Sequence, residues 1–353
     1  MTKEVPEKNN PWLFRFAVLT AVVTFLLIGL GGLVTSHGAG MSVPDWPNTY
    51  GYNMFAFPIS KWVGGIFYEH THRLLASAVG LLTTILTVWL WLKDSRQWMK
   101  WLGVAAFLGV IAQGILGGLR VTLHMNSLGV FHATIAQLFF ILVCAIALFT
   151  SRFWMELNAD RTTFFVSRGL RMLVLMTTLV IFVQLIIAAT MRHQHAGLAI
   201  PDFPLAYGKI WPATDPAAIA NYNAHRISAT EEAPVTAFQI ILQMVHRLVA
   251  FLILAGVAAA AWLAWKRLGG KDPLAKLAIF WLALIFAQVA LGAATIWTNK
   301  AADVATAHVM VGALSLVTGA LWCLIGFGRS TSALPDAQTF GVFGVQTSMM
   351  ANK

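Results

Sequence analysis

Eight long apolar stretches run through this chain, separated by short polar breaks. A bilayer hydrocarbon core about 30 Å thick takes about 20 residues of helix to cross. The runs at roughly 12–34, 68–92, 101–119, 127–149, 172–191, 237–265, 275–297 and 304–327 meet that length. Backbone N–H and C=O groups go unpaired in lipid unless the segment bonds to itself, so each run is expected to be a helix. The pattern predicts an all-α polytopic membrane protein with eight transmembrane helices.

Composition sharpens this picture. With 58% hydrophobic and 11% charged residues, the 353-residue length is spent on spans and not on several soluble domains. The formal charge of +10 is unevenly placed. The N-terminus, the breaks at 93–100, 150–171 and 266–276, and the tail hold sixteen of the 24 Lys and Arg residues. By the positive-inside rule both termini are cytoplasmic, and the long loops at about 35–67 and 192–236 face outward. The basic balance thus reports orientation, and nucleic-acid binding is the poorer explanation. The opening MTKEVPEKNNPW leads into a full-length span without a clear small-residue cleavage site, so a removable signal peptide is not expected. Cys144 and Cys323 both lie inside apolar runs, which removes a disulfide framework or a C-x-x-C site and leaves them as small core residues.

The outer loops expose an internal repeat. GAGMSVPDWPNTYG at 38–51 aligns with HAGLAIPDFPLAYG at 195–208, and downstream His72-Arg73-Leu74 matches His246-Arg247-Leu248. Ala112-Gln113 with Leu116-Gly117 matches Ala287-Gln288 with Leu291-Gly292, and His132 matches His308. Four spans per repeat give both halves the same orientation, so they should be related by a pseudo-twofold along the membrane normal. The expected organisation is a four-helix bundle at 1–155, a cytoplasmic linker at 156–164, a second four-helix bundle at 165–330 and a cytoplasmic tail at 331–353. Asp45 and Asp202, in the Pro-Asp-aromatic-Pro segments, are expected to hold turns that cap each bundle.

Ionisable groups at membrane depth are expensive and tend to mark function. His72, His132, His246 and His308 all fall near the outer ends of the second, fourth, sixth and eighth spans, at similar depth. Imidazoles from facing helices can ligate one haem iron axially. For any single membrane histidine an interhelical hydrogen bond is the plainer account, but four in repeated pairs favour haem. Zinc fits less well, since two histidines per bundle lack a third or fourth protein ligand. Arg73 and Arg247 either pair with haem propionates or snorkel to the interface. Gly31, Gly32, Gly117, Gly118 and Gly292 mark close helix packing or room for a macrocycle. Glu69 lies three residues from His72, on the same helical face, and the repeat replaces it with Gln243. Acid/base chemistry is therefore open to the first half alone, unless Glu69 is a structural partner of Arg120 or His124.

With GAGMSVPDWP, Glu69-x-x-His72-Arg73 and the histidines of spans four, six and eight, the chain from about 12 to 328 resembles the haem A synthases of the Cox15/CtaA type. The resemblance implies oxidation of the C8 methyl of haem O to a formyl group, giving haem A for cytochrome oxidase in the bacterial cytoplasmic (inner) membrane. It implies His72 and His132 as ligands of the substrate haem, Glu69 as the catalytic carboxylate, and His246 and His308 as ligands of a haem b cofactor. Implied partners are haem O, membrane lipid, haem O synthase, cytochrome oxidase assembly factors and an electron acceptor of unspecified identity. Many relatives carry a cysteine pair in the outer loops; here Val43 precedes Pro44 and no loop cysteine occurs. Two other readings of the same residues are a di-haem cytochrome b-like electron relay and a haem carrier.

Overall fold

A computed structural model describes residues 10–125, 127–159, 166–225 and 234–331, and within them the regular structure is helical apart from short 3-10 turns and two isolated β-bridges. Eight helices are long and apolar enough to cross a membrane: α1 (Pro11–Ser36), α2 (Gly64–Lys93), α3 (Gln97–Thr122), α4 (Ser127–Thr150), α6 (Arg168–His193), α8 (Ala237–Leu268), α9 (Pro273–Trp297) and α10 (Ala302–Thr331). Two short helices, α5 (Arg152–Ala159) and α7 (Pro216–Ala224), complete the set. Most of the expected linker and tail, at 160–164 and 332–353, lies outside the described residues, as do residues 1–9 and Arg226.

Helix starts follow local chemistry. Asn10 caps α1 by accepting from the Leu13 N–H at 3.2 Å, with Pro11 in the first turn where its missing N–H costs nothing. Asp272 with Pro273 starts α9 in the same way, and Thr236 with Gln239 closes a capping box on α8. Within the spans, hydroxyls that find no water turn back on the preceding helical turn: Thr24 donates to the Thr20 carbonyl at 2.8 Å, Thr83 to Val79 at 2.7 Å and Thr318 to Leu314 at 2.7 Å.

The helices pack in neighbour order. α1, α2, α3 and α4 contact each other in sequence, with α1 against α4; α6, α8, α9 and α10 do the same, with α6 against α10. α4 and α10 are the central pair, since each also touches helices of the other group. Arg192, at the end of α6, reaches α1 and donates to the Gly32 carbonyl and the Ser36 hydroxyl, both at 2.7 Å. At the opposite end Arg329 and Asp272 form a buried ion pair at 2.7 Å that ties α10 to the start of α9. Cys144 and Cys323 are free thiols within the helices.

Each outer loop is a small cap built on an aspartate. Asp45 accepts from the Tyr50 and Gly51 N–H groups at 2.7 and 2.8 Å, and Asp202 accepts from those of Tyr207 and Gly208 at 2.6 and 2.8 Å. Burial alone would raise the Asp45 pKa, but the Gly51 and Tyr50 N–H groups and the nearby Arg73 hold it below the ordinary value. Tyr50 and Tyr207 both take the left-handed conformation, and their hydroxyls donate to the Ser42 and Ala199 carbonyls at 2.6 Å.

The apolar run predicts span two at 68–92, whereas α2 begins at Gly64. Apolar length measures the hydrocarbon slab, and a helix continues beyond it while its backbone bonds internally. Apolar length gives no sign of the helix α7 in the second outer loop. Its signal was local: Asp215 caps the Ala217 and Ala218 N–H groups, and Pro216 occupies the first turn.

Candidate functional site

The four repeated histidines sit on α2, α4, α8 and α10, toward the ends that carry the aspartate caps. His246 on α8 and His308 on α10 face each other with ring centres 6.4 Å apart. With metal–nitrogen bonds of about 2.0–2.1 Å on either side, two imidazoles on opposite faces of one metal have ring centres roughly 6 to 6.5 Å apart. The pair is thus already at the separation of two axial ligands. The Nδ1 atoms of both rings are buried and have no hydrogen-bond partner, as is Nδ1 of His72. His72 and His132 stand close enough to interact electrostatically.

Three of the glycines singled out in the sequence, Gly31, Gly117 and Gly292, face these rings. A Cβ added to Gly31 would sit 3.2 Å from Cε1 of His72, one on Gly117 3.4 Å from Cε1 of His132, and one on Gly292 3.2 Å from Cε1 of His308. These positions are the cradle of the histidines. By contrast Gly32 packs on Thr306 and Gly118 on the Trp46 ring. Glutamine supplies another contact. Turned so that its nitrogen donates to the His132 carbonyl at 3.2 Å, the Gln113 amide also lies 2.9 Å from His132 Nδ1. A partner on one imidazole nitrogen fixes the ring and aims the other nitrogen, as in the outer shells of metal sites. The sequence showed Gln113 and its repeat Gln288 only as part of a pattern. Their place beside the histidines comes from the fold. Among the described residues no three His, Cys, Asp or Glu side chains gather as a metal-binding group.

Glu69 is 4% exposed and lies where α2 meets the first cap. Its Oε2 accepts from the Val43 N–H at 2.9 Å, and its Oε1 from Arg73 Nη2 at 2.6 Å. Neither Arg120 nor His124 holds an ion pair with it; the partner is Arg73, four residues along the same helix. The second half repeats this anchor without the charge: Gln243 Oε1 accepts from the Ile200 N–H at 2.7 Å. His70, the other departure from the repeat, is fully buried in the first cap, with Nδ1 3.1 Å from the Thr49 hydroxyl and its ring against Phe57 and Trp62.

The arginines that follow the histidines are clamps on the caps. Arg73 donates to the carbonyls of Asp45, Asn48 and Val43 at 2.6, 3.0 and 2.8 Å as well as to Glu69, so four of its five N–H donors are engaged. Arg247 donates to the Leu205 and Asp202 carbonyls, both at 2.8 Å, and keeps donors to spare.

Residues 52–320 match the model of the COX15-CtaA family, described as cytochrome oxidase assembly protein. The chain belongs to this family. Similar relatives are each named "Heme A synthase". One from Lysinibacillus sphaericus is 27% identical over 322 residues, covering 90% of this chain and 95% of the relative. One from Geobacillus kaustophilus is 26% identical over 324 residues, covering 90% and 91%. A third, from Bacillus cereus, is 26% identical over 311 residues, covering 83% and 88%. The family match spans α2 through most of α10, so all four histidines, Glu69 and both clamp arginines fall inside it.

Proposed function

We propose that this membrane protein is a haem A synthase, an oxidoreductase that converts the C8 methyl of haem O to a formyl group. The observation that carries the reading is the pair of opposed imidazoles, His246 and His308, repeated in the first half by His72 and His132 with an ionisable set added. In this reading residues 165–330 form the cofactor bundle, in which His246 and His308 hold a haem b that supplies one-electron transfer. Arg247 offers its uncommitted donors to a propionate there. Residues 1–155 form the substrate bundle, where His72 and His132 hold haem O in the cradle of Gly31 and Gly117.

Oxidation of a methyl to a formyl, with water supplying the oxygen, releases four electrons and four protons (R–CH3 + H2O → R–CHO + 4 H+ + 4 e−), so a proton acceptor beside the macrocycle edge is required. Glu69 is the proposed acceptor. Each of its oxygens has one acceptor position filled, by Val43 or Arg73, and a carboxylate oxygen has more than one. The ion pair with Arg73 favours the ionised form and fixes the carboxylate in place. The protein is proposed to lie in the bacterial cytoplasmic membrane with both termini inside, passing electrons to an external acceptor.

The test is porphyrin extraction with identification by mass, applied to wild type and histidine variants. His246→Ala and His308→Ala are expected to lose a non-exchanging haem b while retaining the capacity to bind added haem in the first bundle. Equal loss of all haem from folded protein in either variant overturns the two-site reading. A pure electron relay would retain both haems and form no haem A when haem O is supplied.

A further inference from the structure

Arg120, in the last turn of α3, is the described arginine at this end of the molecule that the caps and clamps leave unused. Its guanidinium makes no side-chain hydrogen bond or ion pair among the described residues, and its Nε is buried without a partner. It stands within electrostatic range of Glu69, His72, His132 and His193. Its other nitrogens press on the first cap: a Cβ on Gly40 would lie 2.7 Å from Nη2 and 2.9 Å from Nη1. Arg120 is half-buried, and its guanidinium keeps its donors free with no counter-ion bonded to it, so the position suits an anion.

Each of the other described arginines at this end has hydrogen-bond partners within the protein. Arg73 is held by Glu69 and three carbonyls, Arg247 by two carbonyls, and Arg192 by Gly32 and Ser36. Because Glu69 is neutralised by Arg73, the charge of Arg120 is the uncompensated one in the first site. The second half has no equivalent. Carrying the match of Leu116-Gly117 with Leu291-Gly292 forward places Thr295 opposite Arg120, and the Thr295 hydroxyl turns back to its own Leu291 carbonyl at 2.8 Å.

We propose that Arg120 is a positioning residue of the first site, receiving a propionate carboxylate of the macrocycle held between His72 and His132. This deepens the reading of that bundle as the substrate site and rests on it. A guanidinium donates two parallel N–H bonds to a carboxylate, so one such contact fixes the rotation of the macrocycle about the histidine axis as well as its depth. Rotation decides which methyl group is presented to Glu69. Thr295 imposes no such choice in the second site, where electron transfer does not depend on which edge faces which helix.

The experiment titrates the purified full-length protein with iron protoporphyrin IX and with its dimethyl ester, following the Soret band of the added haem. Wild type is expected to prefer the free acid by about tenfold to a hundredfold, the range of a hydrogen bond to a charged group. Arg120→Gln should bind the two within about twofold through loss of affinity for the acid, and Arg120→Lys should keep part of the preference. The Soret spectrum of the resident second-site haem serves as the check that each variant is folded. A full preference in Arg120→Gln overturns the proposal, and so does a wild type without preference, the outcome expected if a lipid phosphate were the anion. His72→Ala separates the two levels of argument. If it leaves the titration unchanged, the substrate-site reading fails; if it abolishes binding while Arg120→Gln keeps the preference, only the role of Arg120 fails.

Discussion

At the residue scale, Glu69 carries both the anchor of a loop and a charge that its counterpart lacks. Gln243 shows that an amide can hold the equivalent backbone N–H, at 2.7 Å against 2.9 Å for the carboxylate. Glu69→Gln should therefore keep the first cap folded while removing the proton acceptor. The expected outcome is a protein with unchanged haem content and spectra that fails to make haem A and accumulates haem O or a partly oxidised alcohol, read by extraction and mass. Full haem A production by this variant would leave Glu69 a loop anchor only. The sequence pointed to Glu69 through its place three residues before His72 and through the break in the repeat. It could not show the Val43 contact, because nothing in local spacing says which backbone N–H a loop 26 residues away will present.

At the scale of the element, the glycines separate into those that admit a neighbour and those that face nothing. Gly292 on α9 gives His308 its room, whereas nothing lies within 4 Å of a Cβ at Gly114 on α3. Gly292→Leu should displace the His308 ring and remove more than half of the second-site haem, while Gly114→Ala should leave haem content unchanged. A small gain in helix stability, up to about 1 kcal/mol, is expected for the latter. Soret absorbance per protein and thermal melting by circular dichroism read both, and full haem in Gly292→Leu would remove the cradle from the argument. Eight spans were legible because lipid requires continuous apolar helix, and their order in the chain sets which are neighbours. Helix ends were less so: α2 starts at Gly64, in a Gly64-Gly65 pair that carries no helical signal of its own. The histidine pairs were legible from repetition, but Gln113, Arg192 and the idle guanidinium of Arg120 became visible only once helices were packed.

For the whole molecule, orientation follows from where cations cannot be carried across. Lys266, Arg267, Lys271 and Lys276 crowd the connection between α8 and α9, while Lys209 and Arg226 are the only Lys or Arg residues in the long loop between α6 and α8. A single cysteine at position 209, in a background without Cys144 and Cys323, should react with an impermeant thiol reagent added to intact cells from the outside. One at position 271 should react only after the membrane is opened. The reverse pattern would invert the topology and place the histidine pairs near the cytoplasmic face.

The matched anchors Glu69 and Gln243 also bear on descent. A chain that doubles an ancestral half inherits two copies of every fold-determining contact, and both must be kept while one site changes trade. Glutamine and glutamate codons differ by a single base, and the two side chains are nearly the same size. At this position a charge could enter or leave a finished fold in one mutational step, with the loop still tethered. Of the two halves, the one that holds its cap with a carboxylate is the one whose anchor was free to acquire a second occupation.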